Sequence, residues 1–360
     1  MKKKIAIIGT NGVPSKYGGF ETLVEYLVKY LANDYEITVF CSTNLVAEKT
    51  DTYEGVKLEY INLDANGWQS IFYDIVSIFK SYKRFDKVLV LGCSGSIIMP
   101  FFIKYKSKFI MNLGGLDWKR SKWGYLTRKF LRLSEFMAIK FSGHIISDNQ
   151  GIKEYVLKEY KRDSFLITYG GDHAIKQSIN QLSIEKYPFL QKEYAFTVAR
   201  IQPDNNIDII LDSFADDSLY PLVFVGNWGY STYGKLTKEK YLNNPNIILL
   251  DAIYDQKELN ILRSNCKIYI HGHSAGGTNP ALVEAMNLGL PILAHNSIFN
   301  KHTTNFQAVY FSDSKDIFEK INSLSKTDLY SIGERMKSIA KNKYKWEIIG
   351  RDYAKVFDIK

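Results

Sequence analysis

Apolar residues recur along this chain in two alternating rhythms. Short apolar or β-branched runs read as strands, and longer stretches with apolar positions at helical spacing read as helices. In the first half the pattern predicts strands at Ile5–Ile8, Tyr35–Phe40, Val56–Ile61, Val88–Leu91, Phe109–Asn112, His144–Ser147 and Phe165–Ile167. Helical patterns fall between them, notably Phe20–Leu31, Trp68–Tyr82, Trp123–Phe141 and Gln150–Tyr160. Strand and helix in strict alternation predict a parallel sheet with helices on both faces. The rhythm lapses over residues 173–192 and resumes at Ala195–Ala199, Leu222–Gly226, Ile247–Leu250, Lys267–His271 and Pro291–Ala294. The chain ends in helices, the last over roughly Trp346–Phe357. The expected organisation is a first domain at 1–172, a linker at 173–192 and a second domain at 193–343. A C-terminal helix over 344–360 is expected to cross back to the first domain. The fold class is α/β, with two doubly wound domains facing a cleft, and ligands of such sheets bind beyond the carboxyl ends of the strands.

Length agrees, since 360 residues suggest two domains of roughly 150–180 residues each. Nothing approaches the run of about 18 apolar residues that a spanning helix needs. The nearest candidate, Val88–Ile103, is broken by Gly92, Ser94, Gly95, Ser96 and Pro100, and reads as strand, loop and helix. Ile5–Ile8 is too short for a secretory apolar core. Cys41, Cys93 and Cys266 are scattered without metal-ligand spacing, which points to a reducing cytoplasm.

Charge adds one feature. The formal net charge is +9, and residues 80–132 hold thirteen Lys and Arg against two acidic residues, Asp86 and Asp117. Such a patch attracts polyanions: nucleic acid, an anionic membrane or a diphosphate substrate. No zinc finger, RNA-recognition signature or continuous basic helix accompanies it, which argues against nucleic acid. Trp68, Phe72, Phe101, Phe102, Trp118 and Trp123 lie in or near the patch, and basic groups mixed with such rings suit a membrane interface. A solvated basic face over core aromatics is the other reading.

The stretch richest in chemistry runs from His271 to Gly289, HGHSAGGTNPALVEAMNLG. A buried strand ends at its start. A loop with Gly272, Gly276 and Gly277 follows. Asn279 or Thr278 is placed to cap a helix with Pro280 at its first position, and Gly289 is placed to end it. Strand, glycine loop and helix N-terminus make an anion site, and Glu284 lies about a turn into the helix, where a carboxylate can grip sugar hydroxyls. Its plain alternative is a solvated Glu on an ordinary turn. Gly18 and Gly19 precede the first helix and permit close approach of a phosphate. Asp117, amid strong positive charge, can act on an acceptor hydroxyl or pair with Lys119 or Arg120. Asp148-Asn149-Gln150 reads as a helix cap. Arg200, at the end of a strand, suits bidentate contact with a diphosphate or a rim salt bridge. His271 and His273 flank Gly272 and lack the further ligands a metal needs; contact with a donor or a structural role are both open.

The second domain resembles retaining glycosyltransferases of family 4, whose fold is GT-B, two Rossmann-like domains. Glu284-Ala285-Met286, Gly289, Pro291 and Arg200 carry that resemblance. Two positions depart from the family: its earlier Glu falls on Gly276, and its Lys after the Arg falls on Asn205. A narrower resemblance covers nearly the whole chain. It rests on Gly9–Pro14 with Tyr17–Thr22, Trp118-Lys119-Arg120 with Lys122-Trp123, Ser147-Asp148-Asn149, and His271-Gly272-His273 with Gly276–Pro280. These look like a bacterial subgroup described mostly as rhamnosyltransferases of capsule and cell-wall polysaccharide assembly. Gly276 and Asn205 are similar to that subgroup's own pattern. The subgroup tends to have Asp-Gly-Leu-Glu-Trp where this chain has Gly114-Gly115-Leu116-Asp117-Trp118.

The resemblance implies a retaining transferase at the inner face of the plasma membrane, moving L-rhamnose from dTDP-L-rhamnose to a polyprenyl-diphosphate-linked saccharide. Arg200 would stabilise the leaving diphosphate, aided by Gly18, Gly19, Gly276, Gly277 and Thr278, with Asn279, His271 and His273 nearby. Glu284 would hold a ribose or deoxyribose hydroxyl. Retention would follow from same-face attack, with the departing phosphate taking the acceptor proton. No metal or other cofactor is expected. Trp118, Lys119, Arg120, Lys122, Trp123, Arg128, Lys129 and Arg132 are the expected acceptor and membrane face. The rivals are a transferase using a UDP- or GDP-hexose and a non-catalytic sugar-nucleotide-binding subunit.

Overall fold

The computed structural model describes residues 2–14, 18–43, 49–120, 123–216 and 219–360. The chain forms two compact units, Met1–Tyr169 with Trp346–Lys360, and Gly170–Lys345.

In the first unit the strands are β1 (Lys4–Ile8), β2 (Glu36–Ser42), β3 (Thr52–Tyr53), β4 (Val56–Ile61), β5 (Lys87–Leu91), β6 (Phe109–Leu113), β7 (His144–Ser147) and β8 (Phe165–Leu166). Among the described residues they form one sheet in the order β3-β4-β2-β1-β5-β6-β7-β8. Every neighbouring pair is parallel except β3 with β4. β5 and β6 are buried along their whole length, as continuous apolar runs covered on both faces must be. Helices α1 (Gly19–Leu31), α2 (Gln69–Ser81), α3 (Tyr125–Phe141) and α4 (Gln150–Tyr160) connect the strands. On α1, Leu23, Val24, Leu27, Val28 and Leu31 are buried, the three-and-four spacing of a helix packed on one side. The side chain of Asn149 caps α4 by accepting from Gly151 N at 2.8 Å, so this stretch ends a strand and starts a helix. Beyond β5 the chain runs through short 3-10 turns over Ser96–Lys108. One acid is out of place for a solvated helix: Asp74 on α2 is buried, accepting from Ser94 Oγ and from Gly95 N at 3.2 Å.

The strand β3 went unpredicted. It is two residues long, joined to β4 by Glu54-Gly55, both at positive φ. That is the conformation of a tight two-residue hairpin, and a strand this short has no period to read.

In the second unit the strands are β9 (Ala195–Val198), β10 (Leu222–Val225), β11 (Ile247–Leu250), β12 (Ile268–His271), β13 (Ile292–His295) and β14 (Val309–Phe311). Among the described residues they form an all-parallel sheet in the order β11-β10-β9-β12-β13-β14. Its helices are α5 (Gln181–Lys186), α6 (Ile207–Phe214), α7 (Thr232–Tyr241), α8 (Gln256–Ser264), α9 (Pro280–Asn287), α10 (Ile298–Thr303), α11 (Ser314–Ser323) and α12 (Lys326–Lys343). Ile207, Phe214, Phe224, Trp228, Ile270 and Phe311 are fully buried in one cluster on this sheet.

The expected linker at 173–192 is instead folded into this unit. It contains α5, closed by a reciprocal cap between Asn180 and Ser183, and a 3-10 turn over Pro188–Gln191 that buries Leu190. Tyr187 donates its hydroxyl to Glu258 at 2.5 Å. A six-residue helix held by a cap and one tyrosine carries little apolar periodicity, so the sequence pattern passes over it.

The last helix, α13 (Trp346–Asp358), belongs with the first unit. The ring of Trp346 stacks on Tyr26 of α1 with centroids 4.7 Å apart, and Tyr353 OH accepts from Asn112 of β6 at 2.5 Å.

Candidate functional site

β9 and β12 are neighbours in the second sheet, so the loops after them leave the same edge side by side. Arg200 lies two residues beyond β9, and His273 two residues beyond β12. Asn205 joins the two loops. Its Nδ2 donates to Arg200 O at 2.6 Å, and its Oδ1 accepts the Nδ1–H of His273 at 2.8 Å. In the second bond Nδ1 is the donor, because an amide oxygen can only accept. Beside His273 Nε2 lies Gly276 at φ +150°, where a Cβ would come within 3.0 Å of it. Asn206 and Asn300 fasten the rest of the loop, donating to Gly272 O at 2.7 Å and to His273 O at 2.8 Å.

Past Gly277 and the buried Thr278, the side chain of Asn279 caps α9 by accepting from Ala281 N at 3.0 Å. Pro280 takes the first helical position, and Gly289 follows the helix at φ +72°. The expected strand, glycine loop and capped helix are all present, and Ser274 N ties the loop after β12 to the loop after β9 by donating to Asp204 O at 3.0 Å.

Glu284 is not solvated. Its side chain is 12% exposed; Oε2 accepts from Arg263 Nη1, and Oε1 lies 3.0 Å from His173 Nε2. Arg263 is wholly buried and also donates to Asn260 Oδ1 at 2.7 Å. Burial alone pushes the Glu284 carboxyl up. The Arg263 guanidinium and His173 outweigh it and hold the group down at about 2. The carboxylate is therefore anionic at neutral pH. Each of its oxygens retains a lone pair for a further donor such as a sugar hydroxyl.

The segment bearing His173 is pressed onto α9. A Cβ on Gly171 would stand 2.4 Å from Val283 O, so only glycine fits. Asn287 Nδ2 donates to Ala174 O at 3.0 Å. This close approach puts His173 against Glu284.

His271 does not share the position of His273. It is buried at the end of β12, stacked on Tyr269 with centroids 6.0 Å apart, and burial drives its imidazole well below the ordinary range. Of the two roles open for His271, its burial matches the structural one; its ring centroid is 6.3 Å from that of His273, which lies in the loop.

In the first unit, Gly18 precedes α1 at φ +133° and Gly19 opens it. Glu21, in the first turn, accepts from Asn11 N at 2.9 Å and from Thr10 Oγ1 at 3.2 Å. The positive end of α1 thus already has a carboxylate beside it, which offsets part of the attraction expected for a phosphate.

Asp117 opens a 3-10 turn, is 49% exposed, and lies 3.7 Å from Arg120 Nη1. Behind it the ring of Trp118 has Arg132 stacked at 5.0 Å and Lys119 Nζ at 5.3 Å. Arg128 Nη2 donates to Arg120 O at 3.4 Å, and Lys129 Nζ sits 4.5 Å over Tyr125. Trp123 is half-buried, with its amide on Arg120 O at 3.3 Å. Lys122 lies outside the described residues. The exposed side of α3 carries Tyr125, Leu126, Leu133 and Phe136 among Arg128, Lys129, Arg132 and Lys140. Among the described residues no group of three or more potential metal ligands gathers, and no helix is long and apolar enough to cross a membrane.

Residues 180–346 match the model of the family described as glycosyl transferases group 1. The second unit carries a glycosyltransferase group 1 domain. Residues 2–172 match a domain of unknown function, DUF1972. Over 122 residues the chain is 30% identical to Protein CapJ of Staphylococcus aureus, a match spanning 34% of this chain and 30% of that protein. Sucrose-phosphate synthase from Thermosynechococcus elongatus has a similar structure, with a TM-score of 0.82 at 13% identity over 99% of this chain and 98% of that one. So does Anabaena Alr3699/HepE, solved in complex with UDP and glucose, with a TM-score of 0.74 at 14% identity over 98% of both chains. The fold is GT-B-like, and sugar transfer is the chemistry these matches support.

The sequence pattern named Arg200, Glu284 and residues 276–279 as site candidates; it did not name His173 and Arg263, which hold Glu284, or Asn300, which holds the His273 carbonyl. Arg263 is hidden because it sits on the buried side of α8 with Asn260 and Ser264, a polar stripe that reads as solvent-facing. His173 is hidden because it belonged to the presumed linker.

Proposed function

We propose that this protein is a retaining glycosyltransferase that moves L-rhamnose from dTDP-L-rhamnose to a polyprenyl-diphosphate-linked saccharide at the inner face of the plasma membrane. The observation that carries the reading is the joined pair of loops in the group 1 domain. The Arg200 carbonyl and His273 are joined through Asn205, and the loop bearing His273 leads into the capped start of α9. In the proposed complex the donor diphosphate lies against Arg200 and the Gly276–Asn279 loop. As the sugar–phosphate bond breaks, charge builds on the diphosphate, where a guanidinium and backbone N–H groups stabilise it most. Glu284, held anionic, accepts a hydroxyl of the nucleoside sugar. The acceptor attacks from the face the diphosphate leaves, and the diphosphate oxygen takes its proton. The reading needs no metal or cofactor.

The rhamnosyl donor rests on the subgroup resemblance of the HGH and GGTNP motifs. The match to Protein CapJ favours a place in capsule polysaccharide assembly. The exposed basic and apolar side of α3 favours the membrane surface. A second reading, a UDP-hexose donor, is favoured by the UDP and glucose bound to the Anabaena relative.

The test is a mass-spectrometric screen of dTDP-L-rhamnose, UDP-glucose and GDP-mannose against a lipid-linked monosaccharide. A mass gain of one deoxyhexose supports the proposal. A hexose gain transfers it to the second reading. Binding of nucleotide sugars without product would leave a non-catalytic binding subunit.

A further inference from the structure

One cavity of the first unit borders the basic side of α3. It has a volume of about 650 Å³ and lies between α3, the end of α4 and the 3-10 turns at Lys106. Six cationic side chains line it against one carboxylate, Glu159. That carboxylate is itself 3.7 Å from Arg132 Nη2. Arg162 is spent on structure: it donates to the carbonyls of Ile139, Ser142 (3.0 Å) and Gly143 (3.1 Å) and so fixes the wall where α3 ends. Lys106, Lys129, Lys140 and Lys161 supply the excess charge. The ammonium of Lys140 lies 5.3 Å over the Phe136 ring, its stem laid along apolar surface.

The walls between these cations are apolar. Leu133, Phe136 and Ile139 come from one side of α3, and Leu133 and Phe136 are also partly exposed. Two helical turns further toward its start, α3 exposes Leu126 at 80%. Inorganic phosphate or a sugar phosphate would satisfy the cations and leave these apolar walls wet. The occupant that matches both is an anion carrying hydrocarbon.

We propose that this cavity seats the headgroup of an anionic phospholipid of the phosphatidylglycerol type. Its phosphate would lie among Lys106, Lys140 and Lys161, and the first acyl carbons would lie along Leu133 and Phe136. The proposal rests on the membrane-surface reading above and narrows it from a diffuse attraction to a saturable site. A spread-out basic face responds to the surface potential of a bilayer, whereas a built cavity also takes a single lipid out of solution.

The experiment is calorimetric titration of the full chain with dihexanoyl-phosphatidylglycerol below its micellar concentration. Dihexanoyl-phosphatidylcholine and inorganic phosphate are run beside it. The expected result is saturable one-to-one binding of the glycerol lipid, with the other two at least about tenfold weaker. Lys106→Gln with Lys140→Gln should lower that affinity about tenfold or more, since each Lys near an anionic headgroup is worth about a factor of five. Lys106→Gln with Lys161→Gln serves as the second variant if the first has a lowered thermal midpoint. Vesicles containing phosphatidylglycerol separate the two readings. If they bind the protein while the monomeric lipid does not, the cavity site is wrong and the membrane reading stands. If neither binds, both fall. Equal affinity for inorganic phosphate would overturn the lipid occupant.

Discussion

The carboxylate of Glu284 is held against the guanidinium of Arg263, twenty-one residues earlier in the chain and completely inaccessible to solvent. This pair changes what a substitution at Glu284 does. A solvated carboxylate can be neutralised without harm to the fold, but here neutralisation strands a buried cation. Losing one partner of such a pair costs roughly 3–5 kcal/mol.

Glu284→Gln is therefore expected to lower both transfer and the thermal midpoint. The wild-type protein should also show the pair in its acid response. The folded-state carboxyl is held at about 2, below its unfolded value of 4.5, so the stability it contributes is full above 4.5 and is lost as pH falls toward 2. That loss is on the order of 3 kcal/mol. Denaturant titrations at pH 6 and pH 3 on both proteins check it: the gap between them should shrink at pH 3, and a constant gap would mean the pair contributes nothing.

Asp74 gives the opposite sign. Burial pushes its carboxyl up to about 7 against the Ser94 and Gly95 hydrogen bonds, from an ordinary value of 3.8. A carboxyl raised on folding costs stability as pH rises from its unfolded value through its folded one. Asp74→Asn keeps an oxygen to accept both bonds and cannot ionise. The variant should gain on wild type by a few kcal/mol between pH 5 and pH 8. Thermal midpoints at the two pH values decide, and a difference that does not grow with pH would show that Asp74 is not the group responsible.

In the proposed mechanism Arg200→Ala removes a donor to charge that develops as the diphosphate leaves, so turnover is expected to fall about 100- to 1,000-fold. Arg200→Lys should restore only part, since an ammonium lacks the planar fork. Asn205, at the position of a Lys in the family the second domain resembles, is committed to Arg200 O and His273 and offers no substitute cation. Steady-state kinetics separate the roles. A raised Michaelis constant with turnover within about threefold of wild type would make Arg200 a positioning residue.

Charge reversal of Arg128 and Lys129, on the exposed side of α3, should weaken sedimentation with anionic liposomes, most at low salt where screening is least. Arg132 is better left in place, because it also stacks on Trp118 and faces Glu159. Unchanged sedimentation would return this face to an ordinary solvated surface.

By itself the sequence determined whatever depends on neighbours along the chain. Apolar runs and apolar–polar alternation are both local patterns, so β4, β7 and β11 lie where the pattern puts them. Caps act within three or four residues, so Asn149, Asn279, Pro280 and Gly289 mark their helix ends in advance. Tertiary structure decided the rest. Arg263 and His173 reach Glu284 across 21 and 111 residues, and Asn205 reaches His273 across 68. The burial of His271 was set by the sheet around β12. No local period encodes such meetings. They follow from which strands become neighbours and from a backbone approach, at Gly171, so close that only the folded chain reveals why a glycine is there.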